Sequence, residues 1–271
     1  MQKTQRLVLL ASCALFAASC GKATDVSADI ETQQESVVAK ISGTMTAMTS
    51  DGVTIYGEPY FGELGADAPL ILLFHQGGSN GRGEYAGIAK WLNKNGYRAI
   101  AWDQRAGGDR LGGANRTVEG LADGTPNTYC DAEADLSAAL AHVEDSGIAD
   151  KVIVWGSSYS AALVFKLAKD NPQSLAGLIS FSPAGGGPLE NCRARMWVDD
   201  ITVPMFVLRP QSEMENPNSI EQRDILTTAG VEFMVVENGV HGSSMLVDDR
   251  TKNDMSAARE AVLSWLEKTK P

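Results

Sequence analysis

Val152-Ile-Val-Trp155 is a short apolar run that breaks at Gly156-Ser157-Ser158-Tyr159-Ser160 and resumes as the helical pattern Ala161 to Lys169. A strand, a tight turn with a serine at its apex and a helix make up a nucleophile elbow. Such a turn carries strand and helix close past one another, so the positions two before and two after the serine must be small. Gly156 and Ser160 meet that demand, with Ser160 standing where the pattern usually ends in glycine. Taken alone, the string is equally a Gly-Ser-Ser loop between any strand and helix, and the rest of the chain must decide.

A serine hydroxyl is a weak nucleophile until a base takes its proton, and that base is usually a histidine steered by a carboxylate. The chain has 3 histidines. His142 falls off the apolar stripe Leu136, Leu140 and Val143 of a helical stretch and reads as a solvated surface residue. His75 ends the run Leu70 to Phe74 and opens His75-Gln76-Gly77-Gly78, where flexible backbone beside a strand end suits a loop of N–H donors better than a general base. His241 follows the strand-like Val231 to Val236 in Asn238-Gly-Val-His-Gly242 and is the candidate base, against the alternative of a satisfied loop histidine. The orienting acid is expected between serine and histidine in the chain. There the strand signal Val203 to Leu208 is followed by Glu213 and Glu215, both of which could stand on the same sheet edge as the elbow.

Short apolar runs alternate with helical patterns from residue 69 onward, which predicts a mostly parallel sheet covered on both faces. Strands are expected near 69–75, 97–102, 151–155, 177–181, 203–208 and 231–236, and helices near 84–95, 131–146, 159–170, 217–229 and 254–268. Thr44 to Thr49, the turn Ser50-Asp-Gly52 and Val53 to Phe61 read as an opening antiparallel hairpin. Between Phe181 and Ile201 the chain is too short for a large lid, so the site should be open.

Three motifs in this order make the chain resemble the α/β-hydrolase superfamily, and within it the small lidless esterase and dienelactone-hydrolase-like group, over roughly residues 42–268. His75-Gln76-Gly77-Gly78 is similar to the family's oxyanion loop, Gly156 to Ser160 to its elbow, and Val240-His241-Gly242 to its histidine loop. Ala101-Trp-Asp-Gln-Arg105 is similar to the Asp-x-Arg-Gly loop after strand four. The family's acid falls nine residues past a proline, and counting from Pro204 gives Glu213, with Glu215 the alternative; glutamate replaces the commoner aspartate and Pro210 stands where the family has glycine. The resemblance implies a serine hydrolase of carboxylic esters that works through an acyl-enzyme. Ser158 is then the nucleophile, His241 the base and Glu213 its orienter, and the oxyanion meets the N–H of Tyr159 and one from Gln76 or Gly77. A serine peptidase or other acyl hydrolase would use the same residues, and a non-catalytic surface-binding protein on the same scaffold is a third possibility.

The remaining signals bound where such a protein works. Lys3 and Arg6 precede a 12-residue apolar core, Leu7 to Ala18, and then Ala17-Ala-Ser-Cys20, which reads as a secretory signal at 1–19 too short to span a bilayer. The small-small-Cys ending resembles a bacterial lipobox and implies a lipidated Cys20; an ordinary signal peptide is the alternative. Residues 20–41 read as a polar tether and 42–271 as one α/β-hydrolase domain. The expectation is an exported protein, lipid-anchored to a bacterial membrane on its periplasmic or surface side. There Cys130 and Cys192 would be the remaining thiols and could close a disulfide near the active-site mouth. With 23 basic against 34 acidic side chains the chain offers no basic stripe for nucleic acid. Gly77-Gly78 and Gly185-Gly-Gly187 lack the spacing and lysine of a phosphate loop, and no metal-ligand cluster is recognisable, so neither cofactor nor metal is expected.

Overall fold

The computed structural model describes residues 43–271. The expected signal peptide, Cys20 and the whole of the expected tether at 20–41 lie outside the described residues. Eight strands form one sheet: β1 (Met45–Met48), β2 (Thr54–Tyr60), β3 (Leu70–Phe74), β4 (Arg98–Asp103), β5 (Val152–Ser157), β6 (Leu175–Phe181), β7 (Met205–Pro210) and β8 (Glu232–Val236). Their order is β1-β2-β4-β3-β5-β6-β7-β8. The hairpin β1–β2 is antiparallel and joins β4 antiparallel, and every later pairing is parallel.

Five main helices cover the sheet: α1 (Gly81–Lys94), α2 (Glu133–Ser146), α3 (Tyr159–Asp170), α4 (Pro217–Thr228) and α5 (Ser256–Thr269). The period-2 alternation of a strand sorts its side chains between them. Leu70, Leu72 and Phe74 of β3 enter the core under α2 and α3, with Leu136, Leu140, Leu163 and Leu167. Ile71 and Leu73 enter the opposite core under α1 and α5, with Tyr85, Ile88, Val262 and Trp265. A strand buried on both faces therefore reads as a continuous apolar run.

α1 begins at Gly81, earlier than its apolar pattern suggests, because Asn80 caps it: Asn80 Oδ1 accepts the Gly83 N–H at 2.7 Å. The glycines that look like loop serve close approach, since a Cβ on Gly81 would lie 2.8 Å from the Ala101 carbonyl oxygen. His142 is also not where its sequence position suggests. It is half-buried, its ring 5.8 Å from Trp102 in an edge-on contact, and burial lowers its pKa. Trp102 on β4 fills the side of α2 that the Leu136 stripe leaves open, so this surface is covered rather than solvated.

The loop Asp103-Gln104-Arg105 after β4 is scaffolding. Asp103 accepts the Gly81 N–H at 2.8 Å and the Arg116 Nε–H at 2.7 Å. Arg105 donates its backbone N–H and its Nε–H to Asp135 of α2 at 2.7 and 2.9 Å, and both its terminal nitrogens to Asp51 of the β1–β2 turn at 2.5 and 2.8 Å. The Arg105 and Asp135 side chains are fully buried, so removing the cation strands a carboxylate away from water. Arg105→Met is expected to lower stability in urea unfolding by about 3–5 kcal/mol, and Asp135→Leu added to it to recover part of the loss. A single variant within 1 kcal/mol of wild type would show that the pair carries little of the fold.

Candidate active site

Ser158 sits between the end of β5 and the start of α3 with φ 61° and ψ −113°, a region that a residue with a Cβ rarely occupies. Such a conformation costs of order 1–3 kcal/mol and persists only where the surroundings enforce it. They do so from both sides. The Ser158 N–H donates to the Phe181 carbonyl at 2.9 Å, and its own carbonyl accepts from the Ala184 N–H at 3.0 Å. A Cβ on Gly156 would collide with the Ser160 backbone, so glycine is required there.

Ser160 is small, as the crossing demands, and its hydroxyl does more. It donates to the His75 carbonyl at 2.6 Å and accepts from Gln104 Nε2 at 2.7 Å, all fully buried. The start of α3 is thereby clamped to the loops after β3 and β4. His75 completes the clamp: its Nδ1 lies 2.8 Å from the Gln76 carbonyl, and its Nε2 accepts the Gln104 N–H at 2.9 Å. This assigns the Nδ1–H tautomer of a neutral ring, and burial lowers the His75 pKa to about 4. His75 therefore braces the loop and has no free nitrogen for proton transfer.

The same loop separates its two candidate N–H donors. The Gln76 N–H donates at 2.7 Å to Oε2 of Glu84, a fully buried carboxyl whose pKa is raised by burial. That bond removes Gln76 as an oxyanion donor. The Gly77 and Tyr159 N–H groups have no acceptor among the described residues. A Cβ on Gly77 would lie 2.6 Å from the Tyr129 hydroxyl, whose ring stacks on Tyr159 with centroids 4.7 Å apart. Tyr129 adjoins Cys130, which is disulfide-bonded to Cys192 with Cα atoms 5.7 Å apart. The bridge thus fastens the rim on which Tyr129 stands to the segment that follows β6.

His241 and Glu213 meet beyond the C-terminal ends of β7 and β8. Glu213 lies in the single 3-10 turn Gln211–Glu215 that follows β7, and its Oε1 accepts from His241 Nδ1 at 2.5 Å. Its other oxygen is paired with Arg209, a residue whose role has no mark in the sequence. Burial works to raise the Glu213 pKa, but the His241 hydrogen bond and the Arg209 cation outweigh it and the net shift is downward. Glu215, two residues on, is exposed and bonds to nothing among the described residues. The histidine loop is pinned by the Gly242 N–H to Ser182 Oγ at 3.1 Å and the Ser243 N–H to Ser157 Oγ at 3.0 Å. The His241 side chain itself remains 48% exposed, and Ser158 Oγ makes no hydrogen bond among the described residues. Catalytic hydrogen bonds are often long or poorly aligned in unliganded sites and tighten in the substrate complex.

A cleft of about 640 Å³ opens beside His241 and Glu213. Another depression of about 700 Å³ along α4 touches none of the candidate residues.

The neutral clamp makes the fold pH-sensitive with a definite sign. His75 takes up a proton near 6.5 when unfolded but only near about 4 when folded, so its contribution is complete above pH 6.5 and is lost as pH falls toward 4. The loss amounts to about 3 kcal/mol. Urea unfolding of wild type and His75→Asn between about pH 7.5 and 4.5 should show a steeper fall for wild type; parallel curves would contradict the assignment.

Comparison with solved structures places the architecture. The chain superposes on Est1E from Butyrivibrio proteoclasticus with TM-score 0.62 and 13% identity, covering 84% of this chain and 99% of that one. It superposes on a dienelactone hydrolase from Anabaena variabilis with TM-score 0.59 and 14% identity over 84% and 98%. A proline iminopeptidase from Mycobacterium smegmatis gives TM-score 0.59 and 11% identity over 84% and 98%. At these identities the likeness establishes the α/β-hydrolase fold alone. No curated protein sequence matches the chain. The family described as serine aminopeptidase, S33, matches residues 66–241, well over half of the chain, and the protein belongs to that family of α/β hydrolases.

Proposed function

We propose that the protein is a serine esterase in which Ser158, His241 and Glu213 act as nucleophile, base and orienting acid. The observation that carries this reading is the 2.5 Å contact between Glu213 and His241 Nδ1 on the same sheet edge as the strained Ser158. With Nδ1–H given to Glu213, Nε2 is the nitrogen left to take the serine proton. Ser158 Oγ attacks the ester carbonyl carbon as its proton passes to His241 Nε2, and the N–H groups of Gly77 and Tyr159 receive the developing oxyanion. Collapse of the adduct breaks the bond to the alcohol oxygen, which leaves with the proton from His241. Water then attacks the acyl-enzyme, giving a proton to His241, and Ser158 recovers it as the acid departs.

Ester cleavage is favoured over aminopeptidase action by the charges in the adjoining cleft. An aminopeptidase must hold a substrate ammonium, and the cleft carboxylates Glu213 and Glu221 are already paired with Arg209 and Arg195. A non-catalytic role leaves the enforced strain at Ser158 without a purpose.

Ser158→Ala is expected to abolish hydrolysis of short-chain aryl esters without lowering the Tm. Glu213→Gln should lower kcat by up to about 10⁴-fold through loss of the correct tautomer, with Glu215→Gln near wild type. The reverse order would move the acid to Glu215, and an active Ser158→Ala would end the proposal. We also propose that lipid on Cys20 holds this domain at a bacterial membrane on the exported side. The lipobox-like Ala17-Ala-Ser-Cys20 supports this, and intact-mass analysis of the membrane fraction finding an unmodified Cys20 would reject it.

A further inference from the structure

The cleft beside His241 is bounded by Ser182, Arg193, Arg195, Asn218 and His241, among others. Its arginines differ in their surroundings. Arg195 is held by Glu221 at 3.5 Å and Arg209 by Glu213. Among the described residues Arg193 has no ion-pair partner, and its buried Nε has no acceptor. This is unexpected in a chain with 34 acidic against 23 basic side chains, where a carboxylate is seldom far away. A desolvated guanidinium donor without an acceptor is unfavourable unless something else supplies one.

Arg193 is also held in place. It follows Cys192 of the disulfide and precedes the short 3-10 turn Ala194–Met196, in which Ala194 is fully buried. Its backbone is anchored there, and its side chain lines the cleft. A planar guanidinium with free donors matches a carboxylate, which it can bind through parallel hydrogen bonds.

Building on the serine-esterase reading, we propose that Arg193 receives a carboxylate on the alcohol portion of the substrate. The assignment to the alcohol side follows from the chemistry: His241 returns its proton to the leaving oxygen, so the leaving group departs along the side His241 occupies, and His241 lines this cleft. The formal net charge of −11 would repel an anionic ester, and Arg193 supplies a local cation that turns the repulsion into selection.

The test compares two acetyl esters that differ at one position, 4-acetoxybenzoate and its neutral methyl ester, with wild type and Arg193→Met. The substitution keeps the aliphatic stem and removes the charge. It should lower kcat/KM about 10- to 100-fold for the carboxylate ester and leave the methyl ester unchanged, with Arg193→Lys between. Added salt should weaken wild-type turnover of the carboxylate ester alone. Equal loss on both esters, no loss on either, or a wild type that cleaves only the methyl ester would overturn the inference. In each of those cases hydrolysis of the methyl ester by wild type keeps the esterase reading standing. A wild type that cleaves neither ester and resists fluorophosphonate would remove both.

Discussion

The buried hydrogen bonds of Ser160 hold the site together. One hydroxyl gives its proton to the His75 carbonyl and takes one from Gln104, joining the first turn of α3 to the loops after β3 and β4. The unfavourable backbone at Ser158 can persist only if α3 cannot rotate back toward ordinary geometry, and this clamp opposes that relaxation. The same bonds set the distance between the Tyr159 N–H and the Gly77 N–H, because His75 leads directly into the loop that carries the second donor. Strain at Ser158 and placement of these two N–H groups are thus one mechanical problem with one solution.

Around this clamp the parallel sheet brings distant segments to one edge. β5 delivers Ser158, β7 delivers Glu213, and the loop after β8 delivers His241, while neighbouring parallel strands keep their C-terminal ends together. Beneath the site lies a buried polar layer in which Trp155 Nε1 and the Tyr85 hydroxyl reach Ser243 Oγ at 2.8 and 3.2 Å, and Ser157 Oγ accepts the Ser243 N–H. These bonds attach the histidine loop to β5 and α1, so the half-exposed His241 moves on a fixed base.

Much of this was legible in the sequence because it is periodic or local. The strand runs, the α3 helix beginning at Tyr159 and the glycine two residues before Ser158 follow from alternation, length and the sterics of a tight crossing. What could not be read depends on contacts between distant segments. Ser160 looks like an imperfect glycine until His75 and Gln104 are seen on either side of it. Glu84 looks like an ordinary first-turn helix acid, and nothing in its neighbours shows that it is buried and holds the Gln76 N–H. His142 looks solvated because the helical stripe leaves out Trp102, which comes from β4. Counting from Pro204 points to Glu213, but only the 3-10 turn Gln211–Glu215 shows that Glu213 meets His241 while Glu215 is exposed.

On the proposed mechanism this enforced backbone makes one hydroxyl among three neighbours reactive. Ser157 and Ser160 flank Ser158, but both are fully buried and committed to hydrogen bonds. The most direct measurement is peptide mapping by mass spectrometry after reaction of the full chain with a fluorophosphonate. A single adduct, on Ser158, is expected. An adduct on Ser157 or Ser160, or a folded protein that takes up none, would contradict it.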